Sequence, residues 1–249
     1  MEYNHAQLAI AGESNVGLNR SHNEDNFLIC TPPGGMAVLA LIADGIGGHA
    51  QGEIASFICC REVFKAAMTT DSANWDEKFL LNALRKANER IFHRNFSELR
   101  VRPMGSTVAA AVFHRDHFII ANAGDSRFYE YNRQAKTPLT QLSEDHRPIA
   151  KEGRHRRKSR ETYNLISRSL GTQREVMIDL KTFPRSPESR FLLCSDGLYS
   201  GVPDSVFAGL LGSGQPVRTV TGKLMREALL SGSHDNISII CAGPPETEQ

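Results

Sequence analysis

The sequence predicts an α+β domain in which antiparallel sheets carry helices on their outer faces. Short apolar segments bounded by turn residues come in runs, and the helical patterns come in pairs. The strict strand–helix alternation that marks a parallel sheet is absent.

The first run holds "QLAIAG", "NFLICT" and "MAVLALIA", each rich in Ile, Val, Phe or Ala. Two long helices are expected next, over about Gly52 to Met68 and about Asp76 to Phe96. In the second, Leu80, Leu84, Ala87 and Ile91 recur at helical spacing. A second run of strands follows in "STVAAAVF", "HFIIANA" and "RFYEYN". "RFLLCS" and "NISIICA" close the strand set, with helices between them around Pro203–Leu211 and Val217–Leu230. One stretch breaks this order. From Glu144 to Gly171 the chain is polar, and its centre reads "RHRRKSR". A long polar insertion in a compact domain is either a solvated loop or a functional one. Arg156, Arg157 and Lys158 within it are candidate contacts to an acidic or phosphorylated partner.

Composition narrows the function classes. The 249 residues suit one domain with its own core, over 1–243, followed by a tail at 244–249. Hydrophobic residues make up 40% and charged residues 23%, as in ordinary globular proteins. A net charge of +1 argues against a nucleic-acid field, and the basic run shows no interleaved aromatic residues as stacking platforms. The longest strongly apolar stretch, Met36 to Ala43, is far short of the ~20 residues of a spanning helix. The start "MEYNHAQLAIAGE" lacks the basic and apolar regions of a signal peptide, so a cytoplasmic protein without membrane insertion is expected. Five cysteines without a Cys-x-x-Cys spacing predict buried free thiols rather than disulfides or a zinc site.

The chemistry is carried by acids. Asp44 ends an apolar run in "LIADGIGGHAQGE". Asp125 lies in "ANAGDSR", Asp196 in "LLCSDGL" and Asp235 in "SHDNISII". Each sits at a strand end beside Gly, Ser or Asn, where a turn aspartate is the ordinary outcome. Four together, plus Glu24 and Asp25 in "RSHNEDN", make a different pattern if the strand ends share one edge. Converging carboxylates need protons or cations. Oxygen-only donors suit magnesium or manganese better than zinc. Two such ions activate a water and clamp a phosphoryl group. Arg20 offers a guanidinium fork for phosphate, although alone it reads as a surface ion pair. "DGIGGHAQGE" lacks the Gly-Lys-Ser/Thr ending of a phosphate loop, so its glycines are read as a tight turn before a helix.

"RSHNEDNF", "LIADGIGGHAQGE", "GSTVAAAVF", "ANAGDSRFY", "LTQLSEDH", "LLCSDGLYSGV" and "SHDNISII" follow in order from about Ala9 to Ala242. This series resembles the metal-dependent serine/threonine protein phosphatases of type 2C, and "DGIGGHA" resembles their bacterial branch. The resemblance implies a four-layer α-β-β-α sandwich of two antiparallel sheets flanked by helix pairs. It implies Asp44 as the acid bridging two divalent cations, Mn2+ or Mg2+. Gly45 would be a carbonyl ligand, Asp196 and Asp235 further ligands, and Glu24 and Asp25 the acids holding metal-bound waters. A third, weaker cation would sit at Asp125 with Asp196, and Arg20 would hold phosphate. The chain departs from the family at Ile46, where some members carry a histidine proposed as general acid; His49 does not match that position and is read as structural. The basic insertion falls where the family has its flap. The function implied is hydrolysis of phosphoserine and phosphothreonine in proteins by direct attack of water. The partners implied are a cognate serine/threonine kinase, its phosphorylated targets and forkhead-associated scaffold proteins, and a monomer is expected. The alternative is a non-catalytic relative that keeps the fold to bind a partner; retention of Asp44, Asp196 and Asp235 weighs against it.

Overall fold

The computed structural model describes residues 8–32, 35–47, 51–97, 103–147 and 167–245. The basic residues Arg156, Arg157 and Lys158, and His49, lie outside them. Two sheets form, and every strand pair within them is antiparallel. One sheet has the order β1 (Ala9–Asn15), β11 (Ile237–Gly243), β10 (Arg190–Cys194), β7 (Arg127–Tyr131), β8 (Leu139–Gln141). The other has the order β2 (Asp25–Cys30), β3 (Val38–Ile46), β5 (Val108–Phe113), β6 (His117–Ala123), β9 (Asp179–Pro184), with the short β4 (Gly105–Ser106) on β3.

Side-chain alternation sorts the layers. Along β3, Leu39, Leu41 and Ala43 face α1 (Gln51–Thr69) and α2 (Glu77–Ser97), in one cluster with Ile58, Val63, Leu80 and Leu84. Val38, Ala40 and Ile42 point the other way, onto Phe113, Phe118, Phe128, Phe191 and Ile240 between the sheets. In the second sheet Leu192, Cys194, Ile239 and Cys241 face α4 (Asp204–Leu211) and α5 (Val217–Leu230), against Phe207, Val220 and Leu224. Successive strand residues point to opposite faces, so a strand apolar at every position must be covered on both. That requirement produces the α-β-β-α stack. The phenylalanines between the sheets lock it, Phe191 lying with its ring centroid 4.9 Å from those of Phe113 and Phe118.

The strands and long helices named from the sequence all form, with ends shifted by a few residues. Besides the short β4 and β8 and a single 3-10 turn at Ser72–Asn74, two elements were not anticipated. β9 runs through "DLKTFP", an edge strand whose residues are half-buried or exposed; lysine and a terminal proline suit an edge and blur the apolar signal. The single turn α3 (Asp196–Tyr199) starts directly after β10. All five cysteines are free and buried, and burial pushes the Cys60 thiol up to about 12.

Candidate active site

One end of the sandwich gathers the acids. In the β2–β3 ladder Asp25 lies directly opposite Asp44, a like-charged cross-strand pair that costs energy unless something neutralises it. Asp125 sits in the β6–β7 turn and Asp196 opens α3 from the end of β10. Asp235 precedes β11. Burial first, then Asp25, Asp196, Asp125 and Asp235, push the Asp44 carboxyl well above the usual range. Burial, with Asp235, Asp125 and Asp25, lifts Asp196 to about 7. Asp25 is lifted to about 6 by burial, although the Ser195 hydroxyl donates to it at 2.7 Å.

Backbone and hydroxyl contacts aim these groups. The Asp44 amide donates to Thr107 Oγ1 at 3.0 Å, and the Thr107 amide returns a bond to the Asp44 carbonyl at 2.8 Å. The Gly45 amide donates to the Glu24 carbonyl at 3.1 Å. Gly45 also passes so close to Gly52, in the first turn of α1, that a methyl group there would strike the Gly52 carbonyl. Glu24 is thereby tucked beside the start of α1. Asn236, 3% exposed, joins the two halves of the site. Its side chain accepts from the Glu24 amide and donates to the carbonyls of Val16 and His22, all between 2.8 and 2.9 Å. Gly17, at φ +75°, packs on the Asp235 carbonyl where any side chain would collide. The Arg20 loop is therefore held against the Asp235 loop, and Arg20 Nη2 lies 2.7 Å from Asp235 Oδ2. Partial burial works against the charge on Arg20, but Asp235, Glu24 and Asp44 outweigh it and hold it more firmly protonated.

Two sequence motifs close together on the far side. Arg127 forms a bidentate pair with Asp145, the His146 amide donates to the Gly124 carbonyl, and the Gly124 amide donates to His146 Nδ1. Arg147 places Nε at 3.0 Å and Nη2 at 2.8 Å from Asp125 Oδ2. Tyr199 completes the ring: it accepts from Arg147 at 2.8 Å, donates to the Asp125 carbonyl at 2.9 Å, and stacks under the Arg127 guanidinium at 3.6 Å.

Buried oxygens test whether this end fits metal ions. Glu24 Oε1, Asp125 Oδ1 and Asp196 Oδ1 are buried and have no hydrogen-bond partner. Orphaned carboxylate oxygens are costly in a protein interior, and an all-oxygen donor set suits hard divalent cations. The donors nevertheless stand apart: among the described residues no three Asp, Glu, His or Cys side chains close into a compact chelate.

The structure thus brings Arg20, Glu24, Asp25, Asp44, Gly45, Asp125, Asp196 and Asp235 to one end. Sequence reasoning passed over Asn236, Ser195, Thr107, Arg147 and Tyr199, although Asn236 stands beside Asp235 and Arg147 follows "EDH" directly.

Comparison with known proteins agrees with this architecture. The protein phosphatase 2C family pattern matches residues 13–228. The serine/threonine phosphatase stp of Listeria monocytogenes serotype 4b (strain F2365) is 31% identical over 238 residues, 90% of this chain and 91% of that one. The serine/threonine protein phosphatase PstP of Mycobacterium tuberculosis is 32% identical over 239 residues, 94% of this chain and 45% of that longer protein. The crystal structure of Mycobacterium tuberculosis PstP/Ppp superposes with a TM-score of 0.80 at 28% identity, covering 96% of this chain and 99% of that one. A PstP catalytic domain in complex with two manganese ions superposes with a TM-score of 0.74, again at 28% identity, covering 96% and 99%. The fold, the ordered motifs and these relatives agree: the chain belongs to the protein phosphatase 2C family.

Proposed function

We propose that the protein is a metal-dependent phosphatase that removes phosphate from phosphoserine and phosphothreonine in other proteins. The observation that carries this reading is the set of buried, unpartnered carboxylate oxygens on Glu24, Asp125 and Asp196, gathered around Asp44 at one sheet end. In this reading Asp44, with Gly45, Asp196 and Asp235, would hold two divalent cations, Mn2+ or Mg2+. Glu24 and Asp25 orient water on them, and Asp125 with Asp196 takes a third, weaker ion.

Bound there, divalent cations supply Lewis-acid charge to the phosphoryl group and acidify the attacking water. The chain's own residues do the rest. Arg20 leaves Asp235 to grip two phosphate oxygens with its guanidinium fork. Asp25, opposite Asp44 in the β2–β3 ladder, would help orient the attacking water. Ile46 has no proton to give, so in this reading the leaving serine or threonine oxygen takes its proton from a water held in the site. The rigid hub at Asn236 keeps Arg20 and Glu24 in register with Asp235.

Residues 1–243 form one catalytic domain in this reading, with 144–171 as its flap and 244–249 as a tail. Arg156, Arg157 and Lys158 contact acidic or phosphorylated substrates. The protein works in the cytoplasm as a monomer, opposite a serine/threonine kinase, and forkhead-associated scaffolds are candidate targets. Among the described residues no helix is long and apolar enough to cross a membrane. The test is hydrolysis of p-nitrophenyl phosphate by chelated protein to which manganese, magnesium, calcium or zinc is returned singly. Recovery with manganese or magnesium, absent in Asp44→Ala, supports the reading; a folded protein silent with every ion overturns it.

A further inference from the structure

Arg147 occupies an unusual place. Asp125 is 4% exposed and divides its carboxylate between two fates. Oδ2 takes both Nε and Nη2 of Arg147, while Oδ1 is buried without a partner. Asp196 Oδ1 is likewise buried and unpartnered. Tyr199 accepts from Arg147 Nη2 at 2.8 Å, and His146, the chain neighbour of Arg147, is bonded in both directions to Gly124. The guanidinium therefore stands as a fixed positive charge beside the two acids that remain short of partners.

We propose that Arg147 is a built-in counter-cation that weakens binding of the third divalent ion at Asp125, with far less effect on the pair held around Asp44. The inference rests on the phosphatase reading of the site. Two physical effects act in the same direction. A divalent ion on the free Asp125 oxygen is repelled by a guanidinium held on the other oxygen of the same carboxylate. The ion also finds Oδ2 already committed to two charge-assisted hydrogen bonds, which must be broken before that oxygen can serve as a second ligand. Nature thus fills half of this acid's capacity with a side chain and leaves half to the ion. A site so arranged responds to ion concentration in a range well above that of the tight pair.

The charge and the hydrogen bond can be separated. Arg147→Gln keeps a neutral donor toward Asp125 and Tyr199 but removes the charge. Arg147→Lys keeps the charge and gives up the fork. Manganese binding to chelated protein would be followed by titration calorimetry and by the spin-resonance signal of free Mn2+, with Asp125→Asn as the control lacking the weak site. Native protein should show two tighter ions and one weaker. In Arg147→Gln the weak ion should bind at least ~10-fold tighter, a change of about 1.4 kcal/mol, while the tight pair shifts far less. Arg147→Lys should stay within ~3-fold of native. Thermal melting gives an independent readout: manganese should raise the Tm of Arg147→Gln by more than it raises that of native protein, because the ion replaces a lost counter-charge. Tyr199→Phe, which keeps the charge but frees Arg147 to move, should fall between native and Arg147→Gln, and serves if the glutamine variant fails to melt cooperatively. A weak ion bound equally or less well in Arg147→Gln, or in Tyr199→Phe where that variant stands in, overturns the inference. Two tight ions with an unmoved third sink this inference alone. Native protein that binds no tight ions sinks the phosphatase reading with it.

Discussion

Asp44 and Asp25 face each other across the β2–β3 ladder, an arrangement that a sheet built only for stability would avoid. Their cost is the reason to expect a function. Replacing Asp44 or Asp196 by alanine should reduce p-nitrophenyl phosphate turnover to background while the melting temperature of chelated protein holds or rises, since a buried like charge has been removed. Normal turnover in either variant, measured with excess manganese, contradicts the two-ion site. Arg20 is half-exposed and its main structural partner is Asp235. Arg20→Ala should therefore raise KM for a phosphothreonine peptide roughly 10-fold or more, the scale of one lost charge-assisted hydrogen bond, with a smaller fall in kcat. A KM that stays put would assign Arg20 to the ion pair alone. Asn236 spends its side-chain donors and acceptor on three backbone groups far away in sequence. Its role could not be read from "DN", because the residues it joins lie at the opposite end of the chain.

At the scale of elements, the site is made where backbone segments touch without side chains between them. β3 reaches α1 through Gly45 and Gly52, and the methyl of Gly45→Ala would collide with the Gly52 carbonyl and crowd Glu24. That variant should lose most of its turnover and melt lower; a variant with native kinetics would show that the contact can relax. The inter-sheet phenylalanines are a separate matter. Phe191→Ala should cost ~3–5 kcal/mol in denaturant unfolding, the usual range for a large buried aromatic, without changing the ion requirement of the remaining folded enzyme. The basic insertion belongs at this scale too. Neutralising Arg156, Arg157 and Lys158 should lower kcat/KM for phosphoproteins more than for p-nitrophenyl phosphate; equal losses would move these residues from substrate contact to support of the site. β9 went unseen in the sequence for a physical reason. An edge strand needs only one paired side and one covered face, so Asp179, Lys181 and Thr182 dilute the apolar run that marks an inner strand.

For the whole molecule the acid cluster sets how stability depends on pH. Asp25 and Asp196 bind protons in the chelated folded state up to about 6 and about 7, whereas an unfolded aspartate releases its proton near ~4. Between those values the folded state holds more protons than the unfolded one, so stability falls as pH rises through the window. Chelated protein should melt several degrees lower at pH 8 than at pH 5, since both carboxyls lose their protons across that range. Manganese should abolish the difference by taking the place of the protons. A chelated protein whose Tm climbs steadily from pH 5 to pH 8 would contradict this balance.

The sequence by itself determined the layers and the class of chemistry. Apolar runs such as Val38 to Ala43 must be buried on both faces, and acids recur at the ends of such runs. Both statements follow from local periodicity, which a linear chain carries in full. Only the tertiary structure decided which oxygen of each acid stays free. Arg20 meets Asp235 across 215 residues of sequence, Ser195 meets Asp25 across 170, and Arg147 settles on Asp125 through a turn between two sheets. Such pairings depend on the closing of the sandwich, because electrostatic and hydrogen-bond partners are chosen by distance in space and not along the chain.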